Sequence, residues 1–238
     1  MTTAAALPST DATAHPLDDA TRLSLTGPHA HFAERRGDVL RYPPDVASFA
    51  ALPPDPAESD WADVAALAGP GGQVAYTGDG VLPPDGWEVV ARGPGVQMVD
   101  DGVAAAPDPE AVRLTAADVP EMLALVGLTS PGPFLPRTVE LGVYLGIRHR
   151  GELVAMAGER LHPPGWTEIS AVCTHPAHRG QGLATRLVLA VAAGIRARGE
   201  TPFLHAAASN TNAISLYERL GFRLRRTTTF QFVRAPGG

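Results

Sequence analysis

A run of apolar and β-branched residues leads directly into a loop with two glycines and then into a long amphipathic helix. The loop contains Gly180 and Gly182, and the helix extends to Arg198 with an apolar residue at every fourth position: Leu183, Leu187, Val191 and Ile195. Such a strand–loop–helix junction can direct unpaired backbone amides and the helix dipole at an anion. Glycines there would let a phosphate approach the backbone closely. By itself, the segment is equally compatible with a simple turn before a helix.

Two common phosphate-binding loops do not match this segment. The nucleotide-hydrolase loop requires Gly-Lys-Ser or Gly-Lys-Thr, and all 19 basic residues of this chain are arginines. The dinucleotide loop requires Gly-x-Gly-x-x-Gly after the first strand of a βαβ unit, with an acidic residue about 20 positions later. The chain lacks that arrangement.

The second half of the chain has clear signals for helices and strands. Thr115 and Asp118 have capping-box spacing before an apolar helix face. Two strands turn at Arg150-Gly151, and a helix near the C-terminus ends at Gly221. The predicted order is helix, helix, three strands, helix, strand, helix, strand. That order predicts an α+β or α/β protein with a central sheet.

The first half is harder to interpret. Residues 1–20 lack both a basic leader and an apolar segment, so we expect a disordered tail rather than a secretion signal. Residues 21–105 are expected to form a smaller α+β region, with a hairpin that turns at Gly37-Asp38. A small, proline-bearing linker ends at residue 111, and residues 111–238 form the second domain.

Composition excludes several classes of protein. The formal net charge of −6 argues against a nucleic-acid-binding surface. No apolar run approaches the roughly 20 residues that span a membrane, so we expect a cytoplasmic protein. Cys173 is the single cysteine, which excludes an internal disulfide. His175 and His178 lie close together but have no third ligand nearby in sequence, so no metal site is expected.

Two segments together identify a family resemblance. "EISAVCTHPAHRGQGLATRL" followed by "NTNAISLYERLGF" resembles the GCN5-related N-acetyltransferase (GNAT) superfamily over residues 111–235. The matching positions are Arg179, Gly182 and Ala184 in the cofactor loop, and Asn210, Ala213, Leu216-Tyr217-Glu218 and Gly221-Phe222 in the second motif. The weak N-terminal half is similar to the glycine-N-acyltransferase-like branch, in which a degenerate half precedes the active domain.

The resemblance implies an α/β sandwich with a mixed central sheet flanked by helices. It also implies acetyl-CoA as co-substrate and no metal. The pantetheine arm would lie along Val172, Cys173 and Thr174. The pyrophosphate would lie on the amides of Arg179, Gly180, Gln181, Gly182, Leu183, Ala184 and Thr185. Asn210 would cap the next helix, contact the cofactor with Ala213, or do both.

Acyl transfer requires an acid, a base and an oxyanion donor. Tyr217 is the candidate acid, although an isolated tyrosine on such a helix would be a core residue. Glu168 is the candidate base because a regular strand would place it on the same face as Val172. A structural ion pair is the alternative for Glu168, and Glu159 is the competing base. A backbone amide near Cys173 is the candidate oxyanion donor.

These observations predict an N-acetyltransferase that transfers an acetyl group directly to a primary amine. The alternative is a non-catalytic acyl-CoA-binding sensor, and an acyl group longer than acetyl is also compatible. By the resemblance, the acceptor would be selected by the loop around Thr129 to Arg137, where Arg137 is available for an acidic group, and by the end of the last hairpin. The final strand could pair with a second chain to form a homodimer.

Overall fold

The computed structural model describes residues 15–237. The α-helices are α1 (Ala20–Leu25), α2 (Glu58–Ala68), α3 (Val119–Thr129), α4 (Leu183–Ala197) and α5 (Thr211–Leu220). The strands of the first half are β1 (Glu34–Arg36), β2 (Val39–Arg41), β3 (Ala50–Ala51), β4 (Gln73–Thr77) and β5 (Glu88–Asp100). Those of the second half are β6 (Val112–Leu114), β7 (Tyr144–His149), β8 (Glu152–Glu159), β9 (Trp166–Thr174), β10 (Thr201–Ala207) and β11 (Phe222–Arg234).

Eight strands form one central sheet in the order β4-β11-β5-β10-β9-β8-β7-β6. Only β9 and β10 run parallel, and the other neighbours are antiparallel. A small sheet, β1-β2-β3, lies outside it. The mixed sheet flanked by helices confirms the predicted α+β fold.

Two layers cover the two faces of the central sheet. The face under α4 carries a core that includes Leu187, Val191 and Ile195 together with Leu204 of β10. The opposite face packs against α3 and against the segment around α1, where neighbouring Phe203 is fully buried. Because consecutive strand residues point to opposite faces, adjacent residues of β10 belong to different cores.

Local signals in the sequence correspond to the observed ends of elements. Thr115 accepts a hydrogen bond from the Ala117 amide, and Asp118 accepts one from the Thr115 amide. The predicted hairpins at Gly37-Asp38 and Arg150-Gly151 are present. Strand β6 and the 3-10 form of the second short helix, Thr138–Leu141, were not anticipated.

The predicted domain division needs two corrections. The part of the predicted tail that the structure describes is folded: a 3-10 turn spans Pro16–Asp19, and Leu17 is only 2% exposed. Residues 1–14 lie outside the described residues. The boundary at 105–111 does not separate two sheets, because β5 inserts between β10 and β11. The first half of the chain therefore completes the central sheet of the second.

The final strand, β11, is flanked on both sides. β5 pairs with it along its length, and β4 pairs with Phe230–Arg234. Both edges of Phe230–Arg234 are therefore already occupied, and the homodimer stays a prediction. No helix within the described part of the chain has the length and apolar character required to cross a membrane.

Gly221 occupies a position that excludes a side chain. It ends α5 with φ 99°, and a Cβ there would lie 2.9 Å from the amide nitrogen of Val103. We expect Gly221→Ala to lower the free energy of unfolding by about 1–3 kcal/mol, because it combines backbone strain with a clash.

Urea unfolding measures this cost, and Gly194→Ala is the matched control. Gly194 lies inside α4 with open space around its Cβ position, so alanine should stabilise the helix by about 0.5–1 kcal/mol. Equal effects of the two substitutions would contradict the proposed cause.

Candidate acyl-transfer site

The two parallel strands separate at the middle of the sheet. β9 and β10 pair with each other only over Trp166–Ile169 and Thr201–Leu204. Beyond these pairs, each strand continues for three or more residues that do not pair with the other strand. The separation opens a cleft of about 900 Å³ at the carboxyl ends of both strands. Such an opening is where ligands reach a sheet of this kind.

The glycine loop forms one wall of this cleft. Gly182 is the N-cap of α4 with φ 75°, and Gly180 has φ 78°. No atom lies within 4 Å of a Cβ position built on either glycine. The first amides of α4 point out of the helix end without intrahelical acceptors. The loop therefore offers backbone donors, a favourable helix dipole and open space, which an anion requires.

The cleft brings together most of the residues that the sequence predicted for the site. Its lining includes Val172, Cys173, Thr174, Arg179, Gly180, Gly182, Leu183, Ala184, Thr185, Asn210, Ala213 and Tyr217. Gln181 and Glu168 are absent from the lining. Asn210 caps α5, because its side-chain oxygen accepts a hydrogen bond from the Ala213 amide at 3.2 Å.

One lining group suits a ligand that extends along β9. The Thr174 hydroxyl is buried and has no hydrogen-bond partner among residues 15–237. Buried polar groups are normally paired. The amide-bearing arm of acetyl-CoA could supply that partner, so the lining fits this co-substrate.

Tyr217 and Cys173 face the cleft as buried, protonated groups. Tyr217 is 7% exposed, and burial raises the pKa of its hydroxyl to about 12. Burial likewise raises the pKa of the Cys173 thiol to about 11. A thiol with this pKa is a weak nucleophile near neutral pH, which argues against an acyl-enzyme on Cys173.

A β-bulge interrupts β9 beside the cleft. Between the pairs Met156–Cys173 and Gly158–Ser170, two residues of β9 oppose one residue of β8. Ala171 has φ 53° at this point. A bulge leaves an extra residue outside the regular ladder, and this one lies beside Cys173, where the sequence predicted the oxyanion donor.

One comparison shows the family, and a match to a family model over part of the chain agrees with it. The model of the FR47-like protein family matches residues 144–231. A solved structure from Novosphingobium aromaticivorans, assigned to the GNAT family of acetyltransferases, is 43% identical, covers 92% of this chain and 98% of its own, and has a TM-score of 0.85. The chain belongs to the GNAT family.

One further comparison shows the fold alone, and another found no match. A GCN5-related N-acetyltransferase from Kribbella flavida is 23% identical, covers 92% of this GNAT chain and 96% of its own, and has a TM-score of 0.55. None of the curated proteins compared with the chain matches it. GNAT acetyltransferases transfer an acyl group and use acetyl-CoA as co-substrate. The glycine-N-acyltransferase-like branch stays a prediction.

The environment of Glu168 in this GNAT protein argues against its predicted role as general base. Its carboxylate is fully buried and accepts hydrogen bonds from Arg160 at 2.6 and 2.8 Å. Nδ1 of His205 lies 2.7 Å from the same carboxylate. Burial alone would raise the pKa of Glu168, but the charge and hydrogen bonds of Arg160 outweigh it and hold the pKa well below its ordinary range.

The expectation that Glu168 and Val172 lie on the same face of β9 is also wrong. Because the bulge at Ala171 inserts a residue, Val172 packs with Ile169 against the core under α4. Glu168 instead neighbours Phe203, on the opposite face. The structural ion pair considered as the alternative is what the GNAT chain contains.

Acid pH should lower the free energy of unfolding of this protein through Glu168. Since the folded-state pKa is depressed, the unfolded chain takes up the proton first as pH falls below the ordinary value of 4.5. The stability contribution is present at neutral pH and declines as pH falls from about 4.5 toward the folded-state pKa. We expect urea unfolding at pH 7, 5, 4 and 3 to show this decline, and Glu168→Gln to flatten it.

Glu152→Gln is the matched control for this experiment. Glu152 is exposed on β8 and has no ion pair within residues 15–237, so its substitution should leave the pH dependence unchanged. Parallel curves for wild type and Glu168→Gln would contradict the assignment.

Two other charged residues named from the sequence are engaged elsewhere. Glu159 is 1% exposed and accepts hydrogen bonds from Arg198 and from the Val143 amide. Arg137 donates to Glu140 at 2.8 Å and to Asp45 at 3.4 Å, and it does not line the cleft. The prediction that Arg137 is available for an acidic group on the acceptor is therefore wrong.

Sequence reasoning missed several residues that line the cleft, among them Arg160, His205 and Phe49. Arg160 and His205 contact Glu168, and Phe49 reaches the cleft from the first half of the chain. His205 and Glu168 lie on neighbouring strands, and no local motif connects them. Phe49 had no signal because the pairing of the N-terminal segment with the sheet is not encoded in any short pattern.

Proposed function

We propose that the chain is an acetyl-CoA-dependent N-acetyltransferase that transfers the acetyl group directly to a primary amine. The observation that supports this most is the position of Tyr217. Its buried, protonated side chain lines the same cleft as the glycine loop and the bulged end of β9. Each chemical requirement of the reaction then has a candidate group on this chain.

The glycine loop would hold the pyrophosphate. The backbone amides from Gly180 to Thr185 donate toward the open space in front of α4, and Arg179 adds a positive charge. The unpaired edge of Val172–Thr174 would hold the pantetheine arm through backbone hydrogen bonds. Asn210, as the cap of α5, and Ala213 would border the arm on its other side.

A backbone amide beside Cys173, at the β9 bulge, would stabilise the oxyanion. When the amine nitrogen attacks the thioester carbon, a C–N bond forms and negative charge develops on the carbonyl oxygen. A donor already held in place by the strand needs no reorganisation to stabilise that charge. The C–S bond then breaks, and the amine loses one proton, which we assign to water because Glu168 is held in its ion pair.

Tyr217 would protonate the departing thiolate. A hydroxyl with a pKa of about 12 would be a poor donor to a thiolate in water, whose conjugate acid has a pKa near 8.5. The cleft changes both partners, because burial destabilises any anion. Cys173, which lines the same cleft, has its thiol pKa raised to about 11 by that effect. The pKa of the leaving thiol is therefore closer to that of Tyr217 in the cleft than it is in water.

The alternative is an acyl-CoA-binding sensor without catalysis. Both proteins would need the glycine loop, but only an enzyme would need the hydroxyl of Tyr217. The experiment that tests the proposal therefore compares wild type with Tyr217→Phe for amine-dependent release of free thiol from acetyl-CoA and for acetyl-CoA binding.

A further inference from the structure

The part of the cleft away from the glycine loop has apolar walls. Phe230 and Phe232 line it from β11, and Phe49 lines it from the segment before β3. Pro131 and Pro133 of the loop after α3 complete this wall. All three phenylalanines are partly exposed, so an apolar group placed among them would remove further surface from water.

A guanidinium group with spare donors lies at the base of this wall. Arg160 uses Nε and Nη2 to bind Glu168, whereas Nη1 has no hydrogen-bond partner in the portion of the chain from 15 to 237. Its Cζ lies 4.9 Å from the centre of the Phe49 ring. Arg160 lines both the cleft and an adjoining cavity of about 70 Å³. It is therefore positioned to donate to a ligand in either space.

The adjoining cavity offers guanidinium donors, although Glu168 and Asp18 each balance the charge of one of them. Arg160 and Arg226 contribute two guanidinium groups to its lining, and Asp18 contributes the one carboxylate among the lining residues. That carboxylate already accepts from Arg225 at 2.6 Å and from Arg226 at 3.1 Å. A second ammonium group on the acceptor would meet no free carboxylate there, whereas a carboxylate would meet Nη1 of Arg160.

We propose that the acceptor is a small amino acid-like amine that carries both a carboxylate and an apolar side chain. Arg160 binds the carboxylate, and Phe49, Phe230 and Phe232 contact the side chain. The inference rests on the proposed function. The amine nitrogen forms a C–N bond with the acetyl carbon while the C–S bond breaks. The amine loses one proton and the thiolate gains one, so the products are an N-acetyl amino acid and free CoA.

The proposal also assigns a role to the first half of the chain. Phe49 belongs to the segment that packs over β5 and β10, and it contacts the acceptor although the chemistry lies on β9 and α5. Specificity for the acceptor is therefore shared between the two halves.

Three matched acceptors test this assignment on the full chain. Phenylalanine has both groups, phenylalaninamide lacks the carboxylate, and glycine lacks the side chain. Free thiol release from acetyl-CoA gives kcat/KM for each, with concentrations expressed as unprotonated amine. Phenylalanine should exceed phenylalaninamide by about 10-fold to 100-fold, as expected for a hydrogen bond to a charged group. It should exceed glycine by a similar factor because of the buried ring.

Two variants locate the effect. Phe49→Ala should lower kcat/KM for phenylalanine by about 10-fold more than it lowers kcat/KM for glycine. Arg160→Lys retains a charge beside Glu168 but loses the spare donor, so the preference for phenylalanine over phenylalaninamide should fall to about threefold or less. Arg137→Lys is the matched control, because that arginine is held by Glu140 and Asp45.

The outcomes separate the two proposals. Thiol release with phenylalaninamide as good as with phenylalanine would overturn the acceptor class and leave the enzyme intact. Binding of acetyl-CoA without turnover of any of the three amines would also overturn it. The absence of both acetyl-CoA binding and turnover would overturn the proposed function itself. A retained stabilisation by acetyl-CoA shows that each variant is folded, and the wild-type comparison stands if Arg160→Lys does not fold.

Discussion

Tyr217→Phe should lower kcat by about 10²-fold to 10⁴-fold, the usual contribution of a positioned general acid. Without the hydroxyl, the departing thiolate must leave as a buried anion, which the cleft disfavours as strongly as it disfavours ionised Tyr217 or Cys173. The ring itself remains and keeps its edge-on packing against Phe222, with centroids 6.1 Å apart. The dissociation constant for acetyl-CoA should therefore stay within about twofold of wild type.

The measurement combines thiol release with calorimetric titration of acetyl-CoA, and Tyr144→Phe is the control. The Tyr144 hydroxyl is also buried and has no partner in the described residues, but it does not line the cleft. Its removal should leave kcat unchanged. Full turnover by Tyr217→Phe would exclude this tyrosine as the acid. Absence of turnover in wild type with any primary amine of a broad panel, with intact binding, would favour the sensor.

Gly182→Trp should abolish the binding of acetyl-CoA. A large side chain at this position would occupy the open space in front of the first amides of α4, where the pyrophosphate is proposed to lie. Wild type at a ligand concentration 100 times its dissociation constant should gain about 2.7 kcal/mol. For a chain of this length the melting temperature should rise by several degrees. The variant should show no rise with acetyl-CoA or with CoA.

Gly199→Trp is the matched control for this variant. Gly199 has φ 78° and no atom within 4 Å of its Cβ position, so tryptophan there imposes comparable backbone strain at the far end of α4. The control should lose stability without losing the ligand-dependent rise, and ATP should stabilise none of the three proteins. A rise that persists in Gly182→Trp would show that the glycine loop does not hold the cofactor.

The features that the sequence predicted well depend on residues within a few positions of each other. Gly151 turns a hairpin, Asn210 caps α5, and Gly221 ends that helix. In each case the backbone conformation or a hydrogen bond over three residues decides the outcome. The glycine loop belongs to the same class, since its shape depends on Gly180, Gly182 and the helix that follows.

The features that it predicted poorly depend on distant partners. Alternation along an ideal strand placed Glu168 beside Val172, but a single bulge at Ala171 reversed the face. The character of Glu168 then depended on Arg160, which follows β8 and pairs with Glu168 on the adjacent strand β9. No local pattern reports the identity of such a partner, and the partner changes a carboxylate from a base into half of an ion pair.

The sequence by itself determined the order of helices and strands from Val119 onward, the glycine loop and the candidate acid, because these are properties of short segments. Only the tertiary structure decided that β5 completes the sheet, that Arg160 neutralises Glu168 and that Phe49 lines the cleft. The physical reason is that pairing and burial between remote segments depend on the free energy of the whole packed chain. That free energy is shared among many contacts, and no single short motif encodes it.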